Sequence, residues 1–205
     1  MLINSDTGFI LFVWPKDEDC NAKKSNWSIK INDKEAIATS HNNIGIVFAS
    51  KQLFARAKKS FLKSIEISKE IDNPHGIIQG YNNIANLFTD VFDKPDKTLH
   101  AYLDSLLTCN STNPSVIRST LLDSSEALYE KSYQLSKTIG DNSQQYFSVQ
   151  GLGNIQKKRH NLSKAITYYL HAASLSDSAH SYKEYGDACF NLFTCYKEQQ
   201  NYKEA

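Results

Sequence analysis

An all-α fold, a solenoid of antiparallel helix pairs, is predicted by three observations. The chain repeats itself at a fixed period: HNNIGIVF at 41–48 returns forty residues later as YNNIANLF at 81–88. Long runs rich in Leu, Lys, Ser, Ala and Ile carry apolar residues at helical spacing. Eight Gly and four Pro in 205 residues leave few breakers, which disfavours many strands or long loops.

The N-terminal stretch contains the apolar run GFILFVW at 8–14. A secretory leader would carry basic residues first, but the chain opens MLINSD. The run is also far too short to span a membrane. The expectation is a strand-like or irregular apolar arm packed on the domain; the alternative is a degenerate export signal. Residues 1–35 are therefore assigned to an irregular arm or a degenerate half repeat, and 36–205 to the helical array.

The repeat extends beyond its first eight residues. SIKINDKEAIATSHNNIG at 28–45 aligns with SKEIDNPHGIIQGYNNIA at 68–85, and KRHNLSKA at 158–165 with EQQNYKEA at 198–205, both at an offset of forty. Each unit reads as two helices. Ile37, Ile44, Val47 and Phe48 recur at helical spacing in the first, and Phe54, Ala57, Phe61, Ile65 and Ile67 in the second. Small residues, Gly45, Ala57, Gly153 and Ala165, mark places where two helices approach closely. Large ones, Phe48, Phe61, Tyr169 and Tyr196, stand opposite. One such hairpin cannot bury both faces, whereas stacked copies can.

Gly45–Ala57–Phe61 and Gly153–Ala165–Tyr169 share one spacing: small residue, Ala, aromatic. This pattern resembles the tetratricopeptide repeat. Ile44 and Leu152 take the preceding Leu position, and Phe48 the following Tyr position. Residues 182–205 resemble a further first helix, with Leu192 and Tyr196 in place but Phe193 where a small residue belongs. The period of forty exceeds the family's usual length of about 34. It is similar to the long-helix members found in bacterial sensor kinases, peptide-responsive regulators and kinesin light chains. The resemblance implies a right-handed α-solenoid of antiparallel helix pairs.

The middle departs from this period. LFARAKKSFLKSIEISKEID at 53–72 aligns with LLDSSEALYEKSYQLSKTIG at 121–140, an offset of sixty-eight. The economical reading is one repeat with its first helix at 77–90, its second at 120–139, and a helical insertion at 91–119. DKTLHAYLDSLLTC, 96–109, supplies the inserted helix, and Asn113-Pro114 breaks it. The alternative is a degenerate extra repeat whose second helix is 96–109. Both ends look cut, so the expectation is a fragment or truncated relative of a longer protein.

The sequence offers little chemistry. Net charge is +1, from 23 basic and 22 acidic residues, which gives no reason to expect nucleic acid or an anionic membrane. Cys20, Cys109, Cys189 and Cys195 form no CxxC pair and read as reduced, buried thiols. They suit a cytoplasmic chain; a periplasmic or exported one is the alternative if residues 1–27 hold a degenerate signal. The six histidines, His41, His75, His100, His160, His171 and His180, form no metal-ligand spacing and read as solvated or helix-end groups. GLGN at 151–154 lacks the spaced glycines and Lys of a phosphate loop and reads as helix packing. KKRH at 157–160 complements a helix C-terminus, or docks an acidic partner. No nucleophile, base and orienting group can be assembled, so no enzyme activity, cofactor, metal or membrane span is predicted.

The expected function is binding. The resemblance implies that first helices line a concave groove. Its groove positions fall here on Asn42 and Ile46, on Gln79, Asn82, Asn86 and Thr89, and on Gln150, Asn154, Lys157 and Lys158. A carboxamide both donates and accepts, so a ladder of them can pair with the backbone of an extended peptide. Lys157 and Lys158 alone would suit a clamp for a carboxylate. The expected partner is a protein or peptide, with self-association as a further possibility. The chain reads as the sensory or scaffold part of a signalling protein. The alternatives are an oligomerisation adaptor, or the regulatory domain of an enzyme such as a histidine kinase.

Overall fold

The computed structural model describes residues 33–96, 99, 111–178 and 181–199. The apolar run at 8–14, Cys20, Cys109, His100, His180, nearly all of the 96–109 segment and the last part of the 198–205 match lie outside the described residues. Within them the chain is helical and contains no strand. The helices are α1 (Lys34–Ser50), α2 (Phe54–Glu70), α3 (Pro74–Phe92), α4 (Pro114–Thr138), α5 (Asn142–Lys158), α6 (Leu162–Ser178) and α7 (Tyr182–Glu198).

Local chemistry sets where these helices start. Asp33, Asn73, Asn113 and Asp141 each accept a bond from a first-turn amide, those of Ala36, Gly76, Ser115 and Gln144. Pro74 and Pro114 follow their caps directly, where a missing N–H costs nothing. Asn113-Pro114 therefore begins α4 rather than merely breaking an earlier helix. α4 runs 25 residues and starts six before the expected 120. The added residues include Arg118, whose guanidinium bonds the carbonyls of Phe92 and Lys94 and the carboxylate of Asp96. It thereby satisfies carbonyls at the open end of α3.

The helices stop by one device used four times. Gln52, Asp72, Gly140 and His160 all have φ between 51° and 70°. After each, the next amide reaches back five residues: Leu53 to Phe48, Asn73 to Ser68, Asp141 to Ser136, Asn161 to Gln156. This is the left-handed C-cap of the Schellman type. It gives α1–α2, α2–α3, α4–α5 and α5–α6 the same three-residue turn.

Each helix packs against its neighbours in sequence. The most extensive contacts join α1 to α2, α3 to α4 and α5 to α6. The odd-numbered helices also touch one another in order: α1 with α3, α3 with α5, α5 with α7. The small–Ala–aromatic spacing is the contact that closes a pair. A Cβ at Gly45 would lie 2.5 Å from the Phe61 ring, and one at Gly153 would lie 2.7 Å from the Tyr169 ring. Ala57 and Ala165 are fully buried beside them. The glycines of GLGN serve packing, Gly151 being pressed against the Tyr129 ring.

The expected stripe on α2, Phe54, Ala57, Phe61, Ile65 and Ile67, is buried throughout. That on α1 is only half-buried: Ile37, Ile44, Val47 and Phe48 are all partly exposed. The reason is position. Among the described residues α1 has α2 and α3 on one side and no helix on the other. At the far end α7 exposes Tyr182, Tyr185, Phe190 and Phe193. Cys189 is exposed as well, against the expectation of a buried thiol, because it lies on this same face; Cys195, on the inner face, is buried. No described helix is long and apolar enough to cross a membrane.

Candidate functional site

The row formed by α1, α3 and α5 carries a cavity of about 670 Å³. α1 contributes Thr39, Asn42, Asn43 and Ile46 to its wall. α3 contributes Gln79, Asn82, Asn83 and Asn86. From α5 come Gln144, Phe147, Gln150 and Asn154, and Tyr129 of α4 closes the floor. Spacings of three and four put each set on one helix face. None of these residues is charged. A second cavity of about 570 Å³ shares Asn86, Tyr129 and Asn154 with the first. Its wall is charged instead, with Asp90, Asp93, Lys157, Lys158, His160 and Glu198.

Six of the eight groove residues expected from sequence meet in the uncharged cavity: Asn42, Gln79, Asn82, Asn86, Gln150 and Asn154. They are not equivalent. Gln79, Asn86 and Asn154 are exposed, and Asn42 and Gln150 are half-buried. Asn82 is only 7% exposed. Its amide donates to Gln144 Oε1 at 3.3 Å, and its carbonyl accepts from Ser148 Oγ at 3.2 Å. Both ends are consumed in joining α3 to α5, so Asn82 is a bracket rather than a free rung. Asn42 accepts from Asn83 Nδ2 at 2.8 Å, which joins α1 to α3 in the same manner.

Lys157 and Lys158 lie in the charged cavity, and each already has a partner. Lys158 Nζ sits 2.6 and 2.7 Å from the two oxygens of Asp93 and over the Phe92 ring. Lys157 reaches Glu198 at 3.2 Å and Thr194 at 2.8 Å. Next to them Arg159 bonds Glu126 and Asp123 at 2.7 and 2.6 Å. The basic run at the end of α5 is thus an internal hub tying α5 to α3, α4 and α7. A clamp for a ligand carboxylate, or a dock for an acidic partner, would first have to break these pairs. Partial desolvation against the cavity wall and the neighbouring Asp93 raise the Asp90 carboxyl above its ordinary range, although the residue keeps contact with solvent.

Two tyrosines outside the expected groove set hold two of the three exposed amides. Tyr129 Oη donates to Asn86 Oδ1, and Tyr169 Oη donates to Asn154 Oδ1 at 2.7 Å. Burial raises the pKa of both phenols well above its ordinary value, so both are neutral donors. Asn83, Gln144 and Phe147 were missed as well. The doubled Asn in HNN and YNN marked Asn83, and the shared register of Phe61, Tyr129 and Tyr169 marked the tyrosines.

The described histidines take separate roles. His75 pairs with Asp141 at 3.0 Å, His171 meets Tyr133 edge-on, and His160 occupies a left-handed turn position. Among the described residues no group of three or more His, Cys, Asp or Glu is placed to hold a metal. The chain matches no protein-family model, and no curated protein matches it.

Proposed function

We propose that these helices form a right-handed, tetratricopeptide-like α-solenoid whose odd-numbered helices bind an extended peptide or protein segment. The observation that carries this reading is the uncharged cavity walled by carboxamides from three successive odd-numbered helices. Helices packed about 10 Å apart give such a row a span of roughly 20 Å. An extended chain rises about 3.3 Å per residue, so about six residues would lie across it. Carboxamides suit this task because they pair with main-chain groups whatever the side chains are. Ile46 and Phe147, 48% and 43% exposed, add apolar contact within the same wall.

The test is selection of random displayed dodecapeptides on the intact chain, followed by titration of the enriched peptides. Gln79→Trp serves as the blocking variant, since Gln79 is exposed in the wall. Enriched peptides should bind the parent and lose at least tenfold in affinity on the variant. Failure to enrich any peptide, or equal binding by the variant, would refute the reading.

A second reading has its own observation. Tyr182 and Phe190 of α7 are 87% and 65% exposed beside Tyr185 and Phe193, an apolar strip suited to self-association. Light scattering tests it: a strict monomer at high concentration excludes an assembly role for this strip.

A further inference from the structure

Two of the groove's exposed amides, Asn86 and Asn154, are not free to turn. Asn86 and Asn154 occupy one register position, and the tyrosines that hold them occupy another. Subtracting the repeat offset of forty from 86, and the second-helix offset of sixty-eight from 129, gives Ile46 and Phe61 in the first pair. The two positions therefore change together within this one chain. Where the even-numbered helix offers a phenol, the odd-numbered helix offers an amide. Where it offers a plain phenyl ring, its partner is an aliphatic side chain. The Tyr129 and Tyr169 rings are buried, and each hydroxyl proton needs an acceptor. The Asn carbonyl oxygen supplies it. That leaves the two N–H groups of each carboxamide as the end that faces the cavity.

We propose that Tyr129 and Tyr169 are positioning residues that fix Asn86 and Asn154 as hydrogen-bond donors, so that the groove takes an uncharged extended segment by its main-chain carbonyl oxygens. The inference rests on the groove reading above and adds a polarity to it. At the α3 and α5 positions the site presents donors. At the α1 position it presents Ile46, which selects an apolar side chain. Among the described residues no charged side chain lines this cavity, which favours an uncharged segment across it; the charged wall begins beyond Asn86 and Asn154, where the cations are already paired with Asp93 and Glu198.

The test uses the intact chain and dodecapeptides enriched from the random display library. Tyr129→Phe and Tyr169→Phe keep each ring in its glycine notch and remove only the hydroxyl. Releasing one amide to rotate should weaken the enriched peptides about two- to tenfold per site. In ¹⁵N spectra the side-chain amide signals of Asn86 and Asn154 should shift in the matching variant only. Replacing one peptide carbonyl by a methylene should hurt binding to the parent more than to the Phe variants. A third variant, Asn86→Ile with Tyr129→Phe, copies the first pair and should fold normally while losing that donor. Peptides that bind parent and Phe variants equally would overturn the positioning role and leave the groove reading standing. Amide signals that stay unmoved in the Phe variants would also overturn it. A library that yields no binder would overturn both.

Discussion

Replacing Gly151 by Ala adds one methyl group and should destabilise the fold, although Ala is the better helix former. The new Cβ would sit 2.3 Å from Tyr129 Cζ and 2.4 Å from Cε1. Carbon atoms normally rest about 3.5–4.0 Å apart, so the ring must move by more than an ångström. That shift is resisted, because Tyr129 is packed in a cluster with Ala85, Leu122, Leu152 and Ile155. Its hydroxyl is also held by Asn86. Overpacking costs about 1–3 kcal/mol, and a strained hydrogen bond costs about 1 more. The helix-propensity gain of about 1 kcal/mol offsets only part of this. The expected net loss is about 1–3 kcal/mol. Gly186 is the control, since a Cβ there meets no atom within 4 Å. Gly186→Ala should gain about 0.4–1 kcal/mol. Urea unfolding followed by far-ultraviolet circular dichroism measures both. If Gly151→Ala proves as stable as the parent, the Tyr129 ring does not fill that notch, and the assigned pairing of α4 with α5 is wrong.

Other expectations concern the turns, the bracket and the acids. His160→Gly should raise stability by about 1 kcal/mol, because His160 holds a left-handed conformation that costs other residues about that much; thermal melts would show it. Asn82→Ala should cost about 1 kcal/mol, since the bonds from α3 to Gln144 and Ser148 are lost while Ser148 keeps Ser132 and the Gln144 carbonyl, whereas Gln79→Ala should be nearly neutral in the same denaturant series. Asp90→Asn should stabilise the chain at neutral pH. A carboxyl whose folded pKa is raised binds its proton more tightly when folded, so ionisation weakens the fold. The advantage of the variant should fade as pH falls through the raised folded value, and a pH series of melts would reveal a wrong sign.

Much of the fold was legible because its rules are local. The Gly45–Ala57–Phe61 spacing named a real contact, and the apolar stripe read on α2 is buried along its length. The beginning of α4 was misplaced because the alignment with 53–72 ended at its likeness, while the helix continues back to Pro114 and gains Arg118. In the site, the recurring Asn residues fall together on one cavity wall, as their shared register implied. They did not separate Asn82 from Asn86, because exposure differs with a small rotation about one helix axis. Lys157 and Lys158 looked available because Asp93 and Glu198 are distant in sequence and are brought close only by stacking. The tyrosine–asparagine pairs were legible in principle, but only when both offsets, forty and sixty-eight, are applied together.

The nearest-neighbour pattern of contacts bears on how the chain is made. No extensive contact among the described helices joins partners more than two helices apart. Among the described helices, α1 and α2 have met all their extensive partners once residue 92 has left the ribosome. Early segments need not wait for late ones, so assembly can keep pace with translation and expose little sticky surface at any moment.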